Sequence, residues 1–235
     1  MPFTNATLRY LRALERNNNK PWFEAHRAEY EGLVKAPMLE LIGEMDVRLA
    51  AFAPEIIGDV KRSMFRIYRD IRFSKDKTPY KTHASFWLYH RDGSRGVGRE
   101  ASGGGAGFYF QIAPGDSYLG GGIWMPPREA LQKIRERIAE KPVQFERVAS
   151  DGAVKRRFGG FSEEAMLTRV PRGFAADHPA AHRLRLQSFT LGRSMSDADA
   201  VSGRLADQLA RDFRLLTPLV RWVNETLGLE AAKAR

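Results

Sequence analysis

The feature that most constrains the fold is a pair of apolar runs separated by a tight turn. FYFQIA (Phe108–Ala113) is followed by Pro114, Gly115 and Asp116, and then by the run Tyr118–Met125. The first run alternates, with Phe108, Phe110 and Ile112 on one face, which is the period of a strand. A parallel partner needs a long crossover, and a turn this short supplies none. The two runs therefore return on each other as an antiparallel hairpin. SFWLYH (Ser85–His90), short, aromatic and followed by the Asp92–Gly93 turn, reads as a further strand of the same antiparallel sheet.

Helical signals flank these strands. Thr4–Glu15 carries apolar residues at Ala6, Leu8, Leu11, Ala13 and Leu14 and reads as a short amphipathic helix, which the asparagines at 17–19 end. Pro21 suits the first position of a second helix, with Asn19 or Lys20 as its cap. Pro37 is expected to interrupt or restart it, after which Met38, Leu41, Ile42, Met45 and Leu49 recur at helical spacing. Pro126–Pro127 closes the strand region and opens a helix over 128–139, with Leu131, Ile134 and Ile138 inward. Smaller helices are expected near 143–149 and 153–158, a last strand over 186–191, and a helix from Asp197 to about Thr226 bent at Pro218. Helices, then strands, then helices give an α+β fold, an antiparallel sheet flanked by N-terminal and C-terminal helices, in one domain over residues 1–235.

Composition narrows the chemistry. The 235 residues include no cysteine, which excludes disulfides, thiolate nucleophiles and cysteine-rich zinc sites. Arg9 and Arg12 stand where a secretory leader needs an apolar run, and 101–115, the longest stretch free of Asp, Glu, Lys and Arg, is short and glycine-rich. A soluble cytoplasmic protein without a membrane partner is expected. The net charge is +10, and the segment Lys61–Arg99 holds most of it, with eleven basic residues against three acids. Charge concentrated in this way suits an anionic partner.

Within that segment, FRIYRDIRFSKDKTPYKTH (Phe65–His83) is the candidate site. Read as a strand, Phe65–Ser74 has one face of Phe65, Ile67, Arg69, Ile71 and Phe73, and another of Arg66, Tyr68, Asp70, Arg72 and Ser74. Rigid arginines offer planar forks for phosphate or carboxylate. Asp70, between Arg66 and Arg72, should have a depressed pKa and serve to hold the guanidiniums. Lys75, Lys77 and Lys81 are expected to converge from the following turn, which Pro79 shapes. The expected ligand-binding set is Arg66, Arg69, Asp70, Arg72, Ser74, Lys75, Lys77 and Lys81. Tyr80 and His83 are the candidates for proton transfer if the site carries chemistry.

Other motifs carry less. GVGREA (Gly96–Ala101) imitates a dinucleotide fingerprint, but a strand follows it where a helix should. Gly120–Gly122 point to a bulge or to close backbone approach. His178 and His182 are four apart, yet Pro179 fits the first helical position with Asp177 or His178 capping. Glu163–Glu164 and Asp197/Asp199 suit helix starts. No cofactor and no metal is expected.

LRALERNNNKPWFEAHRAEY, FRIYRDIRFSKDKTPYKTH, GGGIWMPPREALQKIRERI and PRGFAADHPAAHRLRLQSF together resemble a widespread family of bacterial and fungal proteins catalogued as a domain of unknown function. The resemblance spans nearly the whole chain. Its signature, RD-x-RFSKDK-x-PYK, falls on Arg69, Asp70, Arg72, Phe73, Ser74, Lys75, Asp76, Lys77, Pro79, Tyr80 and Lys81, with further matches at Gly120–Gly122 and Asp177–Pro179. The resemblance implies a single-domain protein of about this length and brings no reaction with it.

Three readings follow. In the first, the basic segment binds an anionic, phosphate-bearing small molecule. In the second, the protein binds nucleic acid, with Tyr68, Phe86, Trp87 or Tyr109 exposed for stacking. In the third, it is a structural or interaction module in which Arg69 and Asp70 form a buried ion pair.

Overall fold

Thr4 opens the first helix by accepting a hydrogen bond from the Ala6 amide, and Thr7 reciprocates toward the Thr4 amide. This capping box satisfies donors that a helix start leaves orphaned. The computed structural model of the protein describes residues 3–72, 75–98, 103–163 and 165–232. Helix α1 (Asn5–Arg16) buries Leu8, Leu11 and Leu14, and Asn17 caps its end. Asn19 caps α2 (Lys20–Ala25) through the Trp22 amide, with Pro21 in the first turn as expected. After α3 (Arg27–Tyr30), residues 31–35 form a π-helical turn that runs directly into α4 (Ala36–Leu49). Pro37 has no amide hydrogen to give to the turn before it, and the widened turn upstream is where the chain absorbs that loss.

The sheet has five strands in sequence order, all neighbours antiparallel: β1 (Ile56–Ile57), β2 (Ala84–His90), β3 (Gly107–Ile112), β4 (Ser117–Ile123) and β5 (Phe189–Met195). The predicted hairpin is present, with Phe110 opposite Leu119. One sheet face carries Phe86, Leu88, Phe108, Phe110, Leu119 and Leu191, all fully buried. Phe108 stacks on Phe213 of α10 (Leu205–Thr226) at 4.6 Å, and Met38, Leu41, Ile42 and Met45 of α4 join the same core. Gly122, at φ 129°, lies so close to β5 that an added Cβ would overlap the Phe189 carbonyl. The close-approach reading of the glycine run therefore holds.

Helices α5 (Arg128–Glu140), α6 (Pro142–Ala149) and α7 (Gly152–Phe158) follow where expected. Three boundaries differ. The last strand begins at Phe189, later than the 186–191 reading. The long C-terminal helix is split into α9 (Asp197–Ala200) and α10, while Pro218 sits inside a continuous α10. Pro179 precedes α8 (Ala181–Leu184) instead of opening it, and His178 accepts a hydrogen bond from the Ala180 amide. Asp212, 1% exposed, is gripped by Arg157 of α7 and Arg193 of β5, which ties three elements together. Among the described residues, no helix is long and apolar enough to cross a membrane.

Candidate functional site

The main correction concerns the stretch read as a strand over Phe65–Ser74, whose described residues, 65–72, do not form one. Within them the one isolated bridge is Tyr68 opposite Tyr80, and Met64, just before, bridges to Phe86. Residues 65–69 run beside 79–85 through single hydrogen bonds, from Phe65 N to Ser85 O, Lys81 N to Ile67 O and Arg69 N to Pro79 O. Beyond Arg69 the side chains compete for the backbone. Asp70 accepts from the Arg72 amide and Asp76 from the Thr78 amide, each a local turn that ends a ladder. Pro79 removes a further donor. The expected alternation survives at Arg66 and Ile67, exposed and buried respectively, and fails at Ile71, which is exposed.

This path divides the expected anion-binding residues. Arg69 is turned into its own loop, bonded to Asp76 and to Thr78 at 2.8 Å. Arg72 donates from Nε (2.9 Å) and Nη2 (2.6 Å) to Asp70. That grip, with the Arg72 amide, holds the Asp70 carboxyl well below the usual carboxylate range. The buried Arg69–Asp70 pair of the third reading does not form, since each side chain has a different partner near the surface. Lys77 donates to the Ile71 carbonyl, and Lys75 is exposed. Ser74 and Phe73 lie outside the described residues, as do Arg99 to Ser102 of the glycine loop and Glu164. Tyr80 is 2% exposed, its ring stacked on Phe23 at 4.1 Å and its backbone clasped by Asn18. His83 has a lowered pKa, first from burial and then from Lys81, so its imidazole is neutral at pH 7. Of the stacking candidates, Phe86 and Trp87 are buried at 0% and 5%, and Tyr68 is exposed.

Two expected residues, Arg66 and Lys81, come together elsewhere. They line a groove of about 650 Å³ between the π-helical turn and the Val60–Arg66 segment. Lys35, Lys61 and Arg95 line it too, and among the described residues no carboxylate does. Lys35 is answered by Glu31 at 2.7 Å, and Arg95 donates to the Met64 carbonyl at 3.0 Å. Lys81 Nζ and the Arg95 guanidinium lie 5.3 and 5.7 Å from the centre of the Phe65 ring. Burial lowers the Lys81 pKa, and Arg66 and Arg95 lower it further by repulsion. Lys61 and Arg95 belong to the basic excess visible in the sequence, but nothing there says that the return of β2 carries Arg95 back to Arg66. Lys35 had no sequence signal at all, because helical spacing accounts for it as the partner of Glu31.

A second cavity, about 410 Å³, opens on the other face of the sheet, and Phe65 borders both. Trp87, Tyr109, Tyr118, Trp124 and Thr190 line it. Tyr109 donates to Gln111 at 2.9 Å. Burial raises the pKa of both tyrosines, so each keeps its proton at neutral pH. Among the described residues, no cluster of three or more histidines, aspartates or glutamates could hold a metal ion.

A family described as conserved hypothetical protein (DUF2461) matches residues 6–222 of the chain. No curated protein and no solved structure matches it.

The chain belongs to that DUF2461 family, with which the resemblance drawn from its motifs agrees.

Proposed function

We propose that this member of the DUF2461 family binds a phosphate-bearing small molecule in the groove formed by Arg66, Lys81, Arg95, Lys61 and Lys35. The observation that supports the reading is the composition of the groove: five cationic side chains and, among the described residues, no carboxylate in the lining, with Lys35 paired to Glu31 beside it. Lys81 and Arg66 face one another's charge without a counter-charge in the lining, a configuration that is unfavourable until an anion enters. The volume suits a small ligand, since binding clefts span roughly 300–1,000 Å³. Arg69, Arg72 and Lys77 have partners in their own loop, do not line the groove and do not contact the ligand in this reading.

Titration calorimetry with inorganic pyrophosphate tests it. One saturable site is expected, and Arg66→Met should weaken it by about 10- to 150-fold, the equivalent of losing one charge-assisted hydrogen bond of about 1.5–3 kcal/mol. No heat with pyrophosphate, or binding indifferent to Arg66→Met and Lys81→Met alike, would overturn the reading. Binding confined to single-stranded oligonucleotides and lost on adding salt would replace it with a nucleic-acid interface.

A further inference from the structure

The aromatic cavity adjoins the groove, and its lining is of a different kind. Phe65 is the shared wall: Lys81 and Arg95 approach its ring from the groove, and Tyr109 stands 6.3 Å from its centroid in the cavity. Register explains why the cavity exists. Trp87 pairs with Tyr109, Tyr109 with Gly120, and Gly120 with Gly192, so one row across the sheet runs from two large rings to two glycines. An added Cβ at Gly192 would overlap the Tyr118 hydroxyl, so the Tyr118 ring leans over the glycines. The glycines thus make room for the Tyr118 ring, and the cavity walls are aromatic. Trp124, at the rim, is 56% exposed and leaves the cavity open to solvent on that side.

One polar group of a lining residue is sealed off from the cavity and unpaired. The Trp87 indole N–H is buried and has no hydrogen-bond acceptor among the described residues. A buried donor without an acceptor is unfavourable by about 1–3 kcal/mol. Tyr109 and Tyr118, by contrast, are held as neutral phenols beside it.

We infer that the cavity is the second half of the ligand site: it takes a planar aromatic group, carried on the same molecule whose phosphate lies in the groove across Phe65. The ligand class is an aryl or heteroaryl phosphate, with the ring between Trp87, Tyr118 and Trp124. The polar half of this inference rests on the anion reading of the groove. The apolar half rests on the cavity itself, and the two can fail separately.

The probes are 1-naphthyl phosphate, inorganic pyrophosphate and inorganic phosphate, read by calorimetry and by tryptophan fluorescence. Naphthyl phosphate should bind roughly tenfold or more tighter than inorganic phosphate, since each tenfold needs only about 1.4 kcal/mol of ring burial. It should also change the emission of Trp87 or Trp124. Thr190→Trp, which fills the cavity, should remove that advantage while leaving pyrophosphate affinity unchanged. Val97→Trp, at an exposed position of the rim, is the second filling variant should Thr190→Trp fail to fold. Arg66→Met should weaken both probes. Pyrophosphate binding with no advantage for naphthyl phosphate overturns this inference and keeps the groove. An advantage that survives both filling variants also overturns it. Failure of every probe overturns the groove reading and this inference together.

Discussion

Replacing Lys81 by methionine separates a binding role from a structural one, because the first predicts a loss of affinity with little change in stability and the second the reverse. Methionine keeps an unbranched apolar stem of similar length, so packing against Phe65 is largely conserved. The lost cation–π contact, 5.3 Å from ring centre to Nζ, costs about 0.5–1 kcal/mol. Against this, the variant removes a half-buried ammonium that burial and its neighbours Arg66 and Arg95 disfavour. These effects oppose each other, so net stability should change by no more than about 1 kcal/mol, a shift in midpoint within about 4 °C for a chain of this size. Pyrophosphate affinity should fall by about 10- to 150-fold. A pH signature accompanies this. The Lys81 pKa is lowered from its ordinary 10.5 in the folded protein. Between the lowered value and 10.5 the unfolded chain holds more of the proton, so stability climbs as pH rises through that alkaline window. Lys81→Met has no proton to release there and should lack the climb. Thermal denaturation from pH 7 to 10.5, with and without pyrophosphate, measures all three quantities. A variant several kcal/mol less stable that binds pyrophosphate as the parent does would refute the reasoning, because Lys81 would then be a structural cation.

Asp212→Asn leaves the Arg157 and Arg193 guanidiniums around a neutral amide at a 1%-exposed site, which should cost about 3 kcal/mol and lower the melting midpoint by about 6–12 °C. Gly192→Ala forces the Tyr118 ring and the Leu119 carbonyl apart. It should cost about 1–3 kcal/mol by thermal denaturation and weaken naphthyl phosphate more than pyrophosphate. Asn18→Ala removes both hydrogen bonds that hold the Tyr80 backbone, at 2.9 and 3.0 Å. About 1–3 kcal/mol of stability should go with them in urea titrations, along with the order of the neighbouring Lys81.

What the sequence determined by itself was the set of elements whose causes are local. Alternation in FYFQIA and the Pro114–Asp116 turn dictate the β3–β4 hairpin, and Thr4, Asn19 and the 126–127 prolines dictate helix starts, because capping and turn chemistry act within a few residues. The excess of charge in 61–99 was equally legible. Which of those charges face one another was not. In Phe65–Ser74 the strand period was present, but Asp70 and Asp76 offered the backbone closer partners than any neighbouring strand, so the segment left the sheet and took Arg69 and Arg72 with it. The grouping of Arg66, Lys81 and Arg95 around Phe65 depends on how β2 returns beside 64–69, a pairing between residues far apart in the chain. The aromatic cavity likewise depends on a register that lines up Trp87, Tyr109, Gly120 and Gly192 across four strands. Local sequence chose the residue types. Long-range pairing, through hydrogen bonds and burial that no short window contains, decided which of them meet.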